Sequence, residues 1–338
     1  MIIKSLKTLK LLTASALLAL PLSAISTFAN AQDYILNTAS TGGTYHPVGT
    51  AIATLSKVKL LPKQKFSLTA VNSAGSGANV QALAANTAQF AILQGLFGSY
   101  AATGTGPVTE VQENMRSISM LWQNVEQFVL ATDKVKDGTV ADLAGMEGTS
   151  MVMGKENSGT LGSNSVLLGN LVGKDLSEAY DLVYAGYGPS ADAMANGQAI
   201  GGGFPAGPPT GALTKLFASN GDKFTVLNVT DEQLAKMDGG RGLWTPYTLE
   251  ANTYPGQTEA VQTIAQPNFL AVNADVDEEH VYQLTKAIYE NLPFLQAIHP
   301  ATNAMDVNAA LAGLPVPLHP GAARYYEEVG ITVPDSLK

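Results

Sequence analysis

The chain has 338 residues, of which 46% are hydrophobic and 14% are charged, and its formal net charge at pH 7 is −9. This composition is typical of a globular protein with a sizeable core, and it excludes an intrinsically disordered chain. The chain has no cysteine, which excludes disulfides, thiolate chemistry and a lipid anchor on an N-terminal cysteine. The acidic balance argues against nucleic acid or anionic lipid as a partner.

Residues 1–31 have the pattern of a secretory signal peptide. A basic start with three lysines precedes an apolar run over residues 11–22, and Ala29-Asn30-Ala31 is a cleavage site of the A-x-A type. A membrane anchor is the alternative, but the apolar run is short and Pro21 interrupts it. Cleavage removes three lysines and no acid, so the mature chain has a net charge of −12. We therefore expect an unanchored protein that is exported to a periplasm.

Three glycine-rich turns each connect a strand pattern to a helix pattern. The first, Ser40–Gly49 (STGGTYHPVG), follows a short apolar run, and the second, Ser73–Asn79 (SAGSGAN), follows Phe66–Val71. The third, Gly154–Thr160 (GKENSGT), follows Ser150–Met153. The first N–H groups of a helix lack partners within the helix, and the helix dipole favours negative charge there. Turns of this kind can therefore bind an anion.

The simpler interpretation of each turn is a tight strand-to-helix connection, in which Thr44, for example, caps the first helix. Gln94 ends a further buried strand pattern, and this edge of an open α/β sheet faces the ligand crevice. Gly201–Gly203 stands within a strand pattern, which indicates close approach of another backbone or of a ligand. Residues 238–258 show no periodicity and predict a long surface excursion.

Strand and helix patterns alternate along the mature chain, which predicts an α/β fold with mostly parallel sheets. The number of units exceeds one sheet of ordinary size, so we expect two lobes with a ligand crevice between them. The first lobe is predicted to comprise residues 32–127 and, after the chain returns, residues 269–338 with the C-terminal helices. The second lobe is predicted to comprise residues 128–268.

The sequence lacks the usual patterns of a catalytic or metal site. No G-x-S-x-G elbow, Walker A loop, G-x-G-x-x-G fingerprint or H-E-x-x-H motif is present. The four histidines show no metal-binding spacing, and we expect structural or solvent-facing roles for them: His46, His280, His299 and His319. We therefore expect no enzyme activity, no cofactor and no bound metal.

Hydroxyls, amides and backbone N–H groups in the glycine-rich turns instead suit the binding of a small polar or anionic molecule. The three arginines, Arg116, Arg241 and Arg324, all lie outside these turns. A bidentate arginine–carboxylate clamp is therefore not indicated.

The motifs together resemble the TAXI family, the solute receptors of one class of TRAP transporters. The resemblance covers essentially the whole mature chain and is carried by the segments Ser40–Gly49, Ser73–Asn79, Asp142–Gly145, Asn157–Thr160, Gly207–Gly211 and Pro317–Tyr326. It implies a two-lobe, type II periplasmic-binding-protein fold and a small organic anion, a dicarboxylate or a glutamate-like amino acid, as the ligand. It also implies delivery of that ligand to TRAP permease subunits in the membrane, which an ion gradient drives.

The resemblance also implies a set of ligand-binding residues. They are Gly42, Gly43, Thr44, Tyr45, Ser76, Asn79, Gln94, Ser158, Gly159 and Thr160, with Phe204 and Gly207 on the far wall of the pocket. We expect the receptor to be a monomer that binds no nucleic acid. Two alternatives use the same fold, a receptor that signals to a membrane sensor and an exported enzyme. The lack of a nucleophile–base pair argues against the enzyme.

Overall fold

Two β-sheets organise residues 31–338, the part of the chain that the computed structural model describes. The predicted signal peptide, apart from Ala31, lies outside these residues. The strands are β1 (Gln32–Asn37), β2 (Phe66–Val71), β3 (Phe90–Gln94), β4 (Met115–Val125), β5 (Phe128–Ala131), β6 (Ser150–Val152), β7 (Asp181–Val183), β8 (Gly201–Gly203), β9 (Phe224–Val226), β10 (Thr245–Leu249) and β11 (Val261–Asn273). The helices are α1 (Tyr45–Lys59), α2 (Leu61–Gln64), α3 (Ser76–Ala84), α4 (Gly95–Thr103), α5 (Val140–Ala144), α6 (Gly159–Val172), α7 (Leu176–Ala179), α8 (Tyr187–Ala195), α9 (Gly211–Asn220), α10 (Asp231–Asp238), α11 (Glu278–Glu290), α12 (Leu292–Ile298) and α13 (Pro320–Glu328). Within residues 31–338, no helix combines the length and the apolar character needed to cross a membrane.

The first sheet has six strands, in the order β10-β11-β3-β1-β2, with β4 also paired to β11. β1 runs parallel to β2 and β3, whereas β11 runs antiparallel to β3, β4 and β10. Helix α1 connects β1 to β2 and buries Val48, Ile52 and Leu55, which recur at helical spacing, in the core of this sheet. Residues of α11 and α13 pack in the same core. We call the part of the chain built on this sheet the first lobe.

The second sheet has five strands, in the order β7-β6-β8-β5-β9, and the part of the chain built on it is the second lobe. One core joins Phe128 of β5 to Leu167 of α6, and another joins Val129 of β5 to Leu213 of α9. Successive residues of a strand point to opposite faces, so helices cover both faces of this sheet. The predicted two-lobe α/β fold is confirmed. Both sheets are mixed and not mostly parallel, because β5 and β11 run antiparallel to their neighbours.

The two lobes are connected where β4 passes into β5. β4 ends at Val125 and β5 begins at Phe128, so Glu126 and Gln127 carry the chain from one sheet to the other. β11 lies alongside, since the N–H group of Glu126 donates to the carbonyl oxygen of Ile264 at 2.9 Å. The predicted lobe boundary after residue 127 falls in this connection, whereas the one after residue 268 falls inside the continuous strand β11.

Residues 238–258 lie mostly at the surface, as predicted, but they are more than an excursion from the fold. They contain β10, an edge strand of the first sheet, and they bury the side chains of Trp244, Leu249 and Tyr254. Each of these residues lies five positions after the one before it, and this spacing matches neither the period of a strand nor that of a helix. An edge strand also tolerates Pro246, since one side of it needs no hydrogen bonds from the sheet.

The glycines of β8 allow the close approach of another backbone. A Cβ atom added to Gly202 would lie 2.0 Å from the carbonyl oxygen of Val152 in β6. A Cβ atom added to Gly203 would lie 2.1 Å from Oδ1 of Asn164 in α6. β8 therefore packs against β6 and α6 too closely for a side chain.

We expect Gly202→Ala to lower the free energy of unfolding by about 1–3 kcal/mol or more, because the obstructing atom belongs to the backbone and cannot rotate away. Gly188→Ala is the matched control, since Gly188 lies within α8, a Cβ atom there would have no atom within 4 Å, and alanine favours the helix. Urea unfolding of both variants measures the difference. Equal stability of Gly202→Ala and the parent would contradict the close packing of β8.

Candidate functional site

A small cavity lies between the two lobes, where loops at the carboxyl ends of β1, β2, β3 and β6 meet. It leaves about 40 Å³ for the centres of water-sized molecules, so the walls from the two lobes lie close together. Its wall in the first lobe consists of Ala39, Ser40, Gly43, Thr44, Tyr45, Ala74, Gly75, Ser76 and Gln94. Its wall in the second lobe consists of Gly154, Lys155, Ser158, Gly159, Thr160, Ala185, Gly186, Tyr187, Pro205 and Ala206.

Four helices begin at the wall of this cavity. Their first residues there are Tyr45 of α1, Ser76 of α3, Gly159 of α6 and Tyr187 of α8. The N–H groups of a first helical turn have no partner within the helix, and the helix dipole places partial positive charge at this end. The wall therefore favours a negatively charged group.

Lys155 is the cation in the wall of the cavity. It lies in the third glycine-rich turn, its side chain is exposed, and it makes no ion pair with any residue of the described range. Sequence reasoning considered arginines in these turns and missed this lysine. An ammonium group at the wall adds to the charge that the helix ends provide.

The two lobes contact each other through backbone groups at the edge of the cavity. The N–H group of Ala78 donates to the carbonyl oxygen of Asn157 at 2.9 Å, which joins α3 to the loop before α6. The side-chain amide of Gln94 donates to the carbonyl oxygen of Gly159 at 2.9 Å. Gly77 allows this approach, since a Cβ atom there would lie 2.7 Å from the carbonyl oxygen of Asn157.

Eight of the twelve residues predicted to bind the ligand lie in the wall of the cavity, and four do not. The eight are Gly43, Thr44, Tyr45, Ser76, Gln94, Ser158, Gly159 and Thr160. The four are Gly42, Asn79, Phe204 and Gly207.

Asn79 and Phe204 lie in the framework behind the cavity. The amide of Asn79 donates to the carbonyl oxygens of Thr38 (2.8 Å) and Ile92 (2.9 Å), so it holds the ends of β1 and β3 together. Phe204 is buried, and its ring packs against that of Tyr187 with 5.7 Å between the ring centroids. Both residues position groups of the wall.

Gly42 and Gly207 lie at contacts between the loops of the two lobes. The carbonyl oxygen of Gly42 accepts a hydrogen bond from the N–H group of Ala212 at 3.0 Å. The carbonyl oxygen of Gly207 accepts one from the hydroxyl of Thr44 at 2.6 Å. Thr44 occupies the N-cap position of α1, as in the simpler interpretation of the turn, but its hydroxyl bonds across the cavity edge and makes no capping hydrogen bond to the helix.

Tyr187 is a residue of the wall that sequence reasoning missed. Its hydroxyl bonds to the hydroxyl of Thr160 at 2.8 Å and donates to the carbonyl oxygen of Pro205. Burial raises the pKa of Tyr187, so the hydroxyl stays neutral and able to donate. Gly186 and Tyr187 follow β7 and begin α8, which repeats the strand–glycine–helix pattern of the other turns and could have been found from it.

The histidines hold local structure. The Nδ1 atoms of His299 and His319 accept hydrogen bonds from Ala301 and Gly321 at the starts of the next helical turns. His280 stacks on the ring of Phe66, and His46 bonds to the hydroxyl of Thr38. Burial lowers the pKa of His280, His299 and His319, which keeps these rings neutral.

A buried polar layer joins the cavity to the connection between the lobes. The hydroxyl of Ser163 in α6 accepts hydrogen bonds from Gln94 of the first lobe (3.1 Å) and from Gln266 of β11 (2.9 Å). Gln266 in turn donates to Oε1 of Glu126 at 3.4 Å, and Trp244 donates to the same oxygen at 2.8 Å. Sequence reasoning missed this layer.

Glu126 is fully buried in the connection between the lobes. Burial raises the pKa of its carboxyl group from 4.5 to about 7, although hydrogen bonds from Trp244, Gln266 and Ser163 oppose the rise. Its second oxygen, Oε2, has no hydrogen-bond partner among residues 31–338. A carboxyl group in this environment binds its proton tightly.

We expect Glu126 to lower the free energy of unfolding as the pH rises from about 4.5 to about 7. The folded protein keeps the proton of Glu126 in this window and the unfolded chain loses it, so this group costs about 3 kcal/mol of stability above pH 7. Glu126→Gln should remove that part of the pH dependence, whereas Glu147→Gln on the surface should leave it unchanged. Urea unfolding at a series of pH values tests this. If the free energy of unfolding of Glu126→Gln changes with pH in the same way as that of the parent, the raised pKa of Glu126 is contradicted.

Comparisons with known proteins concern the family and the fold of the chain. The model of the NMT1-like family matches residues 36–330. Among solved structures, the chain is similar to the periplasmic binding protein BugD, with a TM-score of 0.52 and 16% identity over 88% of this chain and 93% of that one. It is also similar to PhnD1 from Prochlorococcus marinus (MIT 9301) in complex with methylphosphonate, with a TM-score of 0.51 and 12% identity over 81% and 91% of the two chains. At these identities the likeness is one of fold.

Proposed function

This chain belongs to the NMT1-like family, and from that premise and the geometry of the cavity we propose that it is a periplasmic solute receptor. It closes its two lobes over a small organic anion and delivers the anion to a membrane permease. The observation that carries the proposal is the convergence of four helix N-termini and Lys155 on one small cavity. Such a wall binds an anion by electrostatics and hydrogen bonds without reacting with it.

The ligand we propose is a small carboxylate, either a dicarboxylate or a glutamate-like amino acid. Backbone N–H groups at the helix starts can donate to its oxygens, and Lys155 can neutralise one charge. The small size of the cavity favours a compact molecule. The choice of carboxylate rests on the resemblance to the TAXI family.

The partner we propose is the membrane part of a TRAP transporter, again from the TAXI resemblance. The predicted signal peptide supports export to the periplasm, where a receptor can meet both its solute and its permease. Two structural relatives support the same class of protein, since BugD is described as a periplasmic binding protein and PhnD1 as a complex with an organic anion.

We expect one or more small carboxylates to raise the melting temperature of the purified protein. A ligand at about one hundred times its Kd adds about 2.7 kcal/mol to the free energy of unfolding, because it binds the folded state only. The measurement is a thermal-shift panel of L-glutamate, succinate and methylphosphonate, with choline and glucose as controls that are not anions. Stabilisation by choline or glucose alone would contradict an anion receptor.

Lys155→Gln should weaken the binding of the best carboxylate by about tenfold, because a hydrogen bond to a charged group contributes about 1.5 kcal/mol. Lys223→Gln is the matched control, since Lys223 is an exposed lysine of the same lobe outside the cavity wall. Calorimetric titration gives both affinities. If the two variants bind equally well, the anion is not held by Lys155.

Gly77→Ala should weaken ligand binding by about tenfold while leaving each lobe folded. The added Cβ atom would lie 2.7 Å from the carbonyl oxygen of Asn157 in the other lobe and 3.1 Å from the ring of Phe97 in its own lobe. The closer contact is with backbone and exists only when the lobes are closed, so most of an overpacking cost of about 1–3 kcal/mol falls on the closed arrangement. Gly211→Ala is the control, since its Cβ atom would lie at an ordinary 3.6 Å from the carbonyl oxygen of Gly42. Titration measures affinity, and small-angle scattering measures contraction on ligand addition. Undiminished contraction of Gly77→Ala would count against closure through this contact.

A further inference from the structure

A second, larger cavity lies on the other side of the contact between α3 and α6. This groove has a volume of about 670 Å³, and of its lining residues only Ser158 also lines the central cavity. Helices from both lobes form it, with Val80 of α3 and Phe97 of α4 on one side and Leu161 of α6 on the other. The site is therefore separate from the one proposed above.

Glycine contacts bring the helices that form the groove close together. A Cβ atom on Gly162 of α6 would lie 2.4 Å from the ring of Phe97, so α6 packs directly on that ring. Apolar and aromatic side chains line the groove beside this contact, among them Tyr100 and Val166. An exposed groove with aromatic walls is suited to a ligand that has a ring or a hydrocarbon chain.

Arg241 provides the cation of this groove. The turn that carries it is held by the carboxylate of Asp238, which accepts hydrogen bonds from the N–H groups of Gly242 (2.7 Å) and Leu243 (3.0 Å). The guanidinium donates to the carbonyl oxygen of Asp238 at 3.1 Å. It also lies beside the hydroxyl of Tyr100: burial raises the pKa of this hydroxyl, and the positive charge of the guanidinium partly opposes the rise. The position of Arg241 at the groove is thus set by its own turn.

The guanidinium of Arg241 makes no ion pair within residues 31–338. The other charged residue of the groove is Glu110, in the loop after α4, and it is not paired with Arg241. A guanidinium group that is held in place and has no carboxylate partner in the protein can pair with an anionic group of a ligand. Its planar N–H donors match a carboxylate, phosphate or sulfonate in geometry and charge.

We propose that this groove is a second binding site, which takes a small amphipathic anion: an aromatic or medium-chain carboxylate or sulfonate. The ring or chain lies against the half-buried side chains of Tyr100 and Leu161, and the anionic group meets Arg241. Because both lobes form the walls, the occupant contacts both lobes at once. The proposal does not depend on which ligand the central cavity binds.

The probe for this site is the aromatic sulfonate 8-anilinonaphthalene-1-sulfonate, whose fluorescence rises in an apolar groove. Arg241→Gln should weaken its binding by about tenfold, and Arg241→Lys, which keeps the charge, should weaken it less. Lys223→Gln should leave dye binding unchanged although it removes the same charge, because Lys223 lines neither cavity. Glu110→Gln should strengthen binding, since it removes a like charge from the groove.

Two further arms test the shape and the chemistry of the site. Ser165→Trp, at an exposed position of α6 that lines the groove, should fill it and abolish dye binding without unfolding the protein. Decanoate should displace the dye at concentrations at which decanol does not. Thermal unfolding verifies that each variant is folded. Equal dye affinity of Arg241→Gln and the parent, an equal loss in Lys223→Gln, or equal displacement by decanol would each overturn the proposal.

Discussion

Glu126 and Gln127 carry the chain from β4 of the first sheet to β5 of the second, so the two lobes are joined at this buried connection. Gln127 is buried, and its amide donates to the carbonyl oxygen of Phe204 at 3.1 Å and to the hydroxyl of Thr210 at 3.1 Å. Tyr254 donates to the oxygen of the same amide. One side chain thus holds the loop after β8 against the connection, and buried polar groups that are fully paired specify one arrangement.

The cavity depends on this connection because its wall is made of loops from both sheets. Helices α1, α3, α6 and α8 point their N-terminal ends at the same small space, and each end carries partial positive charge. These ends repel one another when the lobes close. Under the proposed function, an anion between the helix ends attracts all of them and outweighs their mutual repulsion. Ligand binding and lobe closure therefore favour each other. Glycines at the contacts, such as Gly77, make the approach sterically possible.

The sequence predicted the parts of this architecture that are local. Each glycine-rich turn lies next to the strand and helix that it connects, so its role at the cavity could be inferred from a few neighbouring residues. The polar layer could not be inferred in this way. Gln266 is 103 residues from Ser163 and 140 residues from Glu126, and no local pattern marks residues that meet only in the folded chain.

Asn79 and Thr44 illustrate a second limit. Both stand in motifs that end at the cavity, and polar side chains there either face the space or hold the strand ends that surround it. The amide of Asn79 bonds to backbone carbonyls, whereas the hydroxyl of Thr44 bonds across the cavity edge. The distinction depends on which backbone carbonyl lies within about 3 Å, a distance set by tertiary packing. Residue type and spacing alone cannot supply it.

The buried carboxyl group of Glu126 connects the stability of the lobes to the charge of the site. Burial is the main cause of the raised pKa values of Tyr45 and Tyr187, both in the cavity wall, and the ionised form of Glu126 adds a smaller rise to each, so its charge reaches the cavity. A negative charge at Glu126 and an anion between the lobes repel each other. Because the pKa of Glu126 is about 7, the group is largely protonated just below neutral pH, where the repulsion is small. Anion binding at the proposed site therefore favours proton retention by Glu126, and by linkage protonation of Glu126 favours anion binding to the same extent.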